Sequence, residues 1–150
     1  MLDRTFFRRV FYLFFSWLGF IAFINPAMSE ELKFRELYSK ITVLGLEFSQ
    51  KVHDLNQKKI DMRGFMAPPL KAEAKFFVLT EIPMSICPFC SSDSDWPDNI
   101  VVVYLDKKQT FVQPSQNIVV TGRLDVGSWT DPETGFVSQL RLLDAQYRVE

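Results

Sequence analysis

Five short β-rich runs, separated by turn formers and with no crossover helix between them, constrain the fold of this chain more than any other feature. Ile60-Asp61-Met62-Arg63-Gly64-Phe65-Met66 alternates apolar with polar residues until Ala67-Pro68-Pro69 stops it. Phe76 to Ile82 is a second run, ended by Pro83, and Ile100 to Leu105 is a third, too short and too rich in valine for a helix. Asn117 to Val126 places Ile118, Val120, Leu124 and Val126 on one face with Gly122 among them, and Phe136 to Leu143 leads on towards Tyr147 and Val149. The links are turn chemistry, Asp106-Lys107-Lys108-Gln109 in one place and Trp129-Thr130-Asp131-Pro132-Glu133-Thr134-Gly135 in another. Parallel neighbours need long crossovers, usually helical, so short links predict antiparallel pairing. Gly64 and Gly122 stand inside two of the runs, where a strand must coil sharply, and Gly64 is expected at a bulge or bend. The fold expected is mainly β: a five-stranded antiparallel barrel of the OB type over residues 55–150, closed or nearly so.

One amphipathic helix is expected ahead of that barrel. Leu37, Ile41, Leu44, Phe48, Val52 and Leu55 recur at steps of 4, 3, 4, 4 and 3, the period of a helix packing one face on a core. Gly45 weakens its middle. The spacing thus predicts an N-terminal helical segment over residues 30–54.

The first 29 residues have the layout of an export signal. Arg4, Arg8 and Arg9 precede a run from Val10 to Ile24 dominated by Phe, Leu and Ile, and Ala27-Met28-Ser29 presents small residues for cleavage near Ser29. The run of 15 residues falls short of the roughly 20 that a spanning helix needs, so membrane contact is expected only through this segment, were it retained. Its removal takes three of the 17 basic residues and one of the 18 acidic ones, leaving a net charge of 14 − 17 = −3. Nucleic acid is a poor partner for such a domain, because neutralising phosphates takes clustered positive charge. The 121 residues that remain suit one domain with one core, in a periplasmic compartment that is oxidising.

Cys87-Pro88-Phe89-Cys90 holds the only two cysteines. A thiol-disulfide oxidoreductase would place the first at a helix N-terminus, whose dipole lowers the thiol pKa. Only nine residues, Ser91 to Asn99, separate Cys90 from the next strand run, and Asp93, Asp95 and Asp98 would raise a thiol pKa. A metal site through Cys87, Cys90 and Met84 would have soft ligands suited to zinc or copper, yet a closed zinc site needs four ligands and no second pair exists. His53, the single histidine, falls on the expected helix. A structural disulfide pinning the loop from Pro83 to Pro97 is the reading these neighbours favour, with Phe89 and Trp96 the loop residues placed to touch a partner. Elsewhere no nucleophile elbow, phosphate cradle or metalloprotease signature occurs, so no catalytic residue is assigned and no cofactor is expected.

Gly64-Phe65-Met66-Ala67-Pro68-Pro69, Phe76-Phe77-Val78-Leu79, the cysteine segment and Val119-Val120-Thr121-Gly122-Arg123-Leu124 together resemble a family of small exported bacterial proteins of unknown function. The resemblance spans roughly residues 55–147. It implies an OB-like barrel, export, and for some members a gene beside ABC-transporter components; it transfers no activity. The function expected is therefore an exported, non-enzymatic domain that binds a partner protein or small ligand, as an accessory to a transport system.

Overall fold

A computed structural model describes residues 29–42, 45–68, 75–84, 96–107 and 110–150. Eight strands and one α-helix follow in chain order: β1 (Glu30–Glu31), β2 (Tyr38–Thr42), β3 (Gly45–Phe48), α1 (Gln50–Leu55), β4 (Lys59–Met66), β5 (Phe76–Thr80), β6 (Ile100–Leu105), β7 (Asn117–Thr130) and β8 (Val137–Val149). A 3-10 turn at Phe34–Glu36 lies between β1 and β2. None of the helices described is long and apolar enough to cross a membrane.

The helix expected across residues 30–54 is replaced over much of its length by strands. Tyr38–Thr42 and Gly45–Phe48 pair antiparallel, with Ile41 opposite Leu46 and Thr42 opposite Gly45. Gly45 has φ +123°, a backbone state that residues with a side chain rarely adopt, so the helical period is cut there. Ile41, which the period assigned to the core, is 66% exposed. Among the described residues only Gln50–Leu55 is α-helical, and it starts where the sequence supplies a cap. The Ser49 hydroxyl accepts from the Val52 amide at 3.2 Å and donates to the Glu36 carbonyl at 2.6 Å, joining the helix start to the 3-10 turn. Ser49→Ala removes both bonds and is expected to cost about 1 kcal/mol in urea unfolding. An unchanged midpoint would mean the helix is held by Val52 and Leu55 alone.

Six strands form one mixed sheet, ordered β1-β4-β5-β6-β8-β7, and β4 also pairs with β7. The pairing therefore returns on itself through β4, β5, β6, β8 and β7. It does so unevenly. Seven register pairs join β4 to β7, from Lys59 with Arg123 to Phe65 with Asn117, while β4 meets β5 only at Phe65 with Thr80 and Met66 with Leu79. Antiparallel pairing throughout was expected, but β6 and β8 run parallel, with Val102 opposite Arg141. The reason is β7, which intervenes in sequence and pairs with β4, so that β8 returns between β7 and β6. A further short parallel pairing sets Glu30 and Glu31 beside Ile60 and Asp61.

The strands enclose one core. Ile60, Met62 and Met66 of β4 point into it with Phe77, Leu79, Val101, Val103, Ile118, Val120, Leu124, Leu140 and Leu142, as the two-residue period dictates. Leu32, Phe34 and Leu37, with Val52 and Leu55 from α1, belong to the same cluster. Outside the ring, Ala67, Val78 and Ile100 form a small second cluster with Trp96 against it, which is why β5 is buried on both faces.

The glycines do different work from that expected. No register shift occurs at Gly64, whose place is set by the close approach of Thr80 and Phe34. The bulge is opposite Gly122: Thr121 pairs with Gln146 and Arg123 with Leu143, so Asp144 and Ala145 together face Gly122. Asp144 takes φ +52° there.

Candidate functional site

β7 runs four residues beyond its expected end, carrying Trp129 out on the β7–β8 hairpin. Beside it an open groove of about 300 Å³ is lined by Tyr104, Arg123, Asp125, Trp129, Arg141 and Asp144, with Leu105 and Leu143 as aliphatic wall. Every one of these residues comes from β6, β7 or β8.

Arg141 organises the groove. It lies between Leu140 and Leu142, which face the core, and points the other way, yet it is only 4% exposed. Asp125 is its directly opposite neighbour on β7 and accepts from Nε at 3.0 Å and from Nη2 at 2.5 Å. Nη1 donates to the Gly127 carbonyl, the Ser138 carbonyl and the Ser138 hydroxyl at 2.8, 2.9 and 3.1 Å. A buried guanidinium is tolerable when paired and hydrogen-bonded in this way. Its carbon sits 5.5 Å from the centre of the Trp129 ring, and the Tyr104 ring stands nearly perpendicular to that ring with the two centres 5.4 Å apart. Trp129 remains 39% exposed.

The rim is a second set of bonds. Arg123 donates from Nη2 to Asp144 at 3.1 Å and from Nη1 to the Gln57 side-chain oxygen at 2.6 Å, and Gln57 Nε2 donates to Asp125 at 2.7 Å. Burial works against the Asp125 carboxylate, but hydrogen bonds from Arg141 and Gln57 outweigh it and hold Asp125 below the usual carboxylate range. Asp131 behaves alike: burial opposes its charge, and bonds from the Tyr104 hydroxyl and from Thr134 and Glu133 keep it ionised. Burial, with the bond to Asp131, pushes the Tyr104 phenol up.

Of the residues singled out from the sequence, Cys87, Phe89 and Cys90 lie outside the described residues, and so does nearly all of the expected signal, residues 1–28. Met84 is half-buried. Trp96 packs on the core and donates from Nε1 to the Tyr38 hydroxyl at 2.8 Å, while Tyr38 stacks on Phe48 at 5.2 Å. Trp96 is half-buried and joins the start of β2 to the approach to β6. His53 is exposed and meets the ring of Phe48 edge-on. Among the described residues no group of three or more His, Cys, Asp or Glu is placed to hold a metal ion.

Burial pushes the Tyr38 phenol up to about 12, more than its bond from Trp96 lowers it. A tyrosine pKa raised on folding contributes stability that is whole below the unfolded value, about 10, and lost as pH climbs towards 12. The urea midpoint is thus expected to fall between pH 10 and 12, and less steeply in Tyr38→Phe. Equal slopes would mean that Tyr38 ionises freely.

The groove residues were not singled out in the sequence. Trp129 sat in a stretch read as loop, and Asp125 had the alternation of an ordinary outward-facing residue. One signal was present: Arg141 is a charge inside Leu140-Arg141-Leu142-Leu143, where both faces of a strand are candidates for burial.

No family model and no curated protein matches this chain. Among solved structures it is similar to the crystal structure of a DUF3299 family protein from Pseudomonas aeruginosa PAO1, determined at 2.45 Å resolution. The TM-score is 0.52 at 14% identity, covering 81% of this chain and 96% of the other. At that identity the likeness is one of fold. It is consistent with the resemblance to an uncharacterised family.

Proposed function

We propose that this chain is an exported, non-enzymatic binding module on an OB-type barrel, and that a partner protein or small ligand meets it in the groove beside Trp129. The supporting observation is the order of the ring. Numbered from β4, the first strand pairs with the second, second with third, third with fifth, fifth with fourth and fourth with first, with third and fifth parallel. OB-type barrels share this Greek-key connectivity, and bind ligands on the second and third strands and on the loops joining first to second and fourth to fifth. Tyr104 belongs to the third strand and Trp129 to the approach to the fourth–fifth turn. Binding is favoured over catalysis because the two groove carboxylates, Asp125 and Asp144, are engaged in ion pairs with Arg141 and Arg123. Cys87 and Cys90 are read as an oxidised brace on the segment between Met84 and Trp96, and the accessory role in transport rests on the family resemblance.

Two measurements test this. Intact mass of the protein from its own cells is expected to show loss of residues 1–29 and of the two thiol hydrogens; an uncleaved chain or two free thiols would overturn export or the brace. A photo-cross-linking amino acid in place of Leu143, on the groove wall, is expected to yield a discrete adduct in those cells, and one in place of exposed Lys107 none. No adduct from position 143 would remove the groove as the binding surface.

A further inference from the structure

The groove has a charge balance that narrows its ligand. Its two guanidiniums and two carboxylates cancel, and they are paired off, Arg141 with Asp125 and Arg123 with Asp144. A phosphate or carboxylate ligand needs a cation not already claimed. A cationic ligand needs a free carboxylate. Neither is on offer among the described residues, and a nucleotide, whose base would stack on an indole, would still bring its phosphates.

What the groove does offer is an aromatic ring beside donors and acceptors set in adjacent pairs. Trp129 is contacted by the buried Arg141 guanidinium and by the nearly perpendicular ring of Tyr104, and it keeps 39% of its surface exposed. The Arg123 and Asp144 side chains are 40% and 74% exposed and stand side by side on the rim, one donating and one accepting. Arg123 is itself fixed by Gln57. We infer that this groove takes a neutral saccharide. A pyranose ring has C–H bonds on one face, which the negative face of an indole attracts, and along its edge neighbouring hydroxyls that both donate and accept. Arg123 donates to such a pair of hydroxyls and Asp144 accepts from it, without either ion losing its partner. At about 300 Å³ the groove lies at the small end of ligand sites and is open, which suits one ring of a longer chain.

This inference rests on the groove being the module's binding surface, and its test separates the two. The protein as its own cells process it, labelled with nitrogen-15, is titrated with chitotetraose, cellotetraose and maltotetraose while the indole N–H signals of Trp96 and Trp129 are followed. The Trp129 signal is expected to shift saturably with at least one of them, with half-saturation on the order of 1 mM, and the Trp96 signal to stay in place. Trp129→Ala should weaken binding at least tenfold, read from the remaining backbone shifts, and Asp144→Asn severalfold, with unfolding midpoints close to the wild type. Sedimentation with purified cell-wall sacculi that the active tetraose reverses would assign a polymer source; titration without sedimentation would assign a soluble one. No saturable shift with any of the three sugars, or a Trp129 shift with inorganic phosphate instead, overturns the saccharide. The cross-link at position 143 then decides the rest: an adduct leaves the binding surface standing, and none removes that as well.

Discussion

Arg141→Met is expected to destabilise the protein by about 3 kcal/mol, because it leaves the groove-side carboxylate of Asp125 without its partner and strips donors from the Gly127 and Ser138 carbonyls. The value sits at the low end for breaking a buried pair, since Asp125 is 25% exposed and keeps Gln57 as a donor. In heating this is a fall of roughly 10 °C. Removing both charges should hurt less than removing one: Arg141→Met with Asp125→Leu is expected to regain at least half of the loss, as apolar replacement of a whole buried pair is often close to neutral. The pH dependence has a definite sign. A carboxyl whose pKa is depressed on folding contributes stability that is present above its unfolded value, about 4, and lost as pH falls through the folded one. Wild-type stability should therefore drop below pH 4, and Arg141→Met should flatten the part of that drop that belongs to Asp125. Urea midpoints from pH 7 to pH 3 measure both effects. A variant as stable as the wild type at pH 7 would show that Trp129 and Ser138 close over the site without the guanidinium.

The elements legible in the sequence are those whose residues answer to one local rule. Ile100 to Leu105 is a strand to the residue, because β-branched side chains leave a short apolar run little else to be. Lys59 to Met66 alternates buried and exposed as its sequence alternates. What escaped depends on partners far away in the chain. A spacing of three and four residues from Leu37 to Leu55 satisfies a helix, but it also arises from a hairpin followed by a short helix, and only the torsion at Gly45 and the cap at Ser49 separate the two. The parallel pairing of β6 with β8 has no local mark at all, since it follows from where β7 docks on β4. The groove was hidden for the same reason. Arg141, Asp125, Trp129 and Tyr104 come from three strands, and their meeting is a product of register, with Asp125 opposite Arg141 and Arg141 opposite Val102.

Gly64→Ala is expected to be the costliest addition of a single methyl group among the strand glycines. The torsion at Gly64 is one that alanine can adopt, so the obstacle is space. A Cβ there would stand 2.5 Å from the Thr80 carbonyl oxygen and 3.1 Å from both Leu79 Cγ and Phe34 Cε2. The carbonyl is backbone and cannot rotate away, and Thr80 is tied down besides, its hydroxyl donating towards the Phe65 and Ile82 carbonyls at 3.2 and 2.7 Å. Relief requires β5 to move off β4, and the two strands meet at only two register pairs, Phe65 with Thr80 and Met66 with Leu79, next to the clash. Overpacking commonly costs about 1–3 kcal/mol, and a backbone obstacle at the weakest join of the ring places this change at about 3 kcal/mol or more. Gly122→Ala is the control: its nearest atoms are the Cβ carbons of Ala145 and Leu142 at 3.0 and 3.1 Å and the Leu143 carbonyl at 3.2 Å. The bulge formed by Asp144 and Ala145 can yield by tenths of an ångström, so about 1–2 kcal/mol is expected there. Urea unfolding ranks the two, and amide exchange locates the damage, with protection in Gly64→Ala falling first at Thr80 and Ala67, which join β4 and β5. Equal midpoints for the two variants, or loss of protection spread evenly over the sheet, would mean that the β4–β5 join gives way as easily as the bulge and does not limit the closure of the ring.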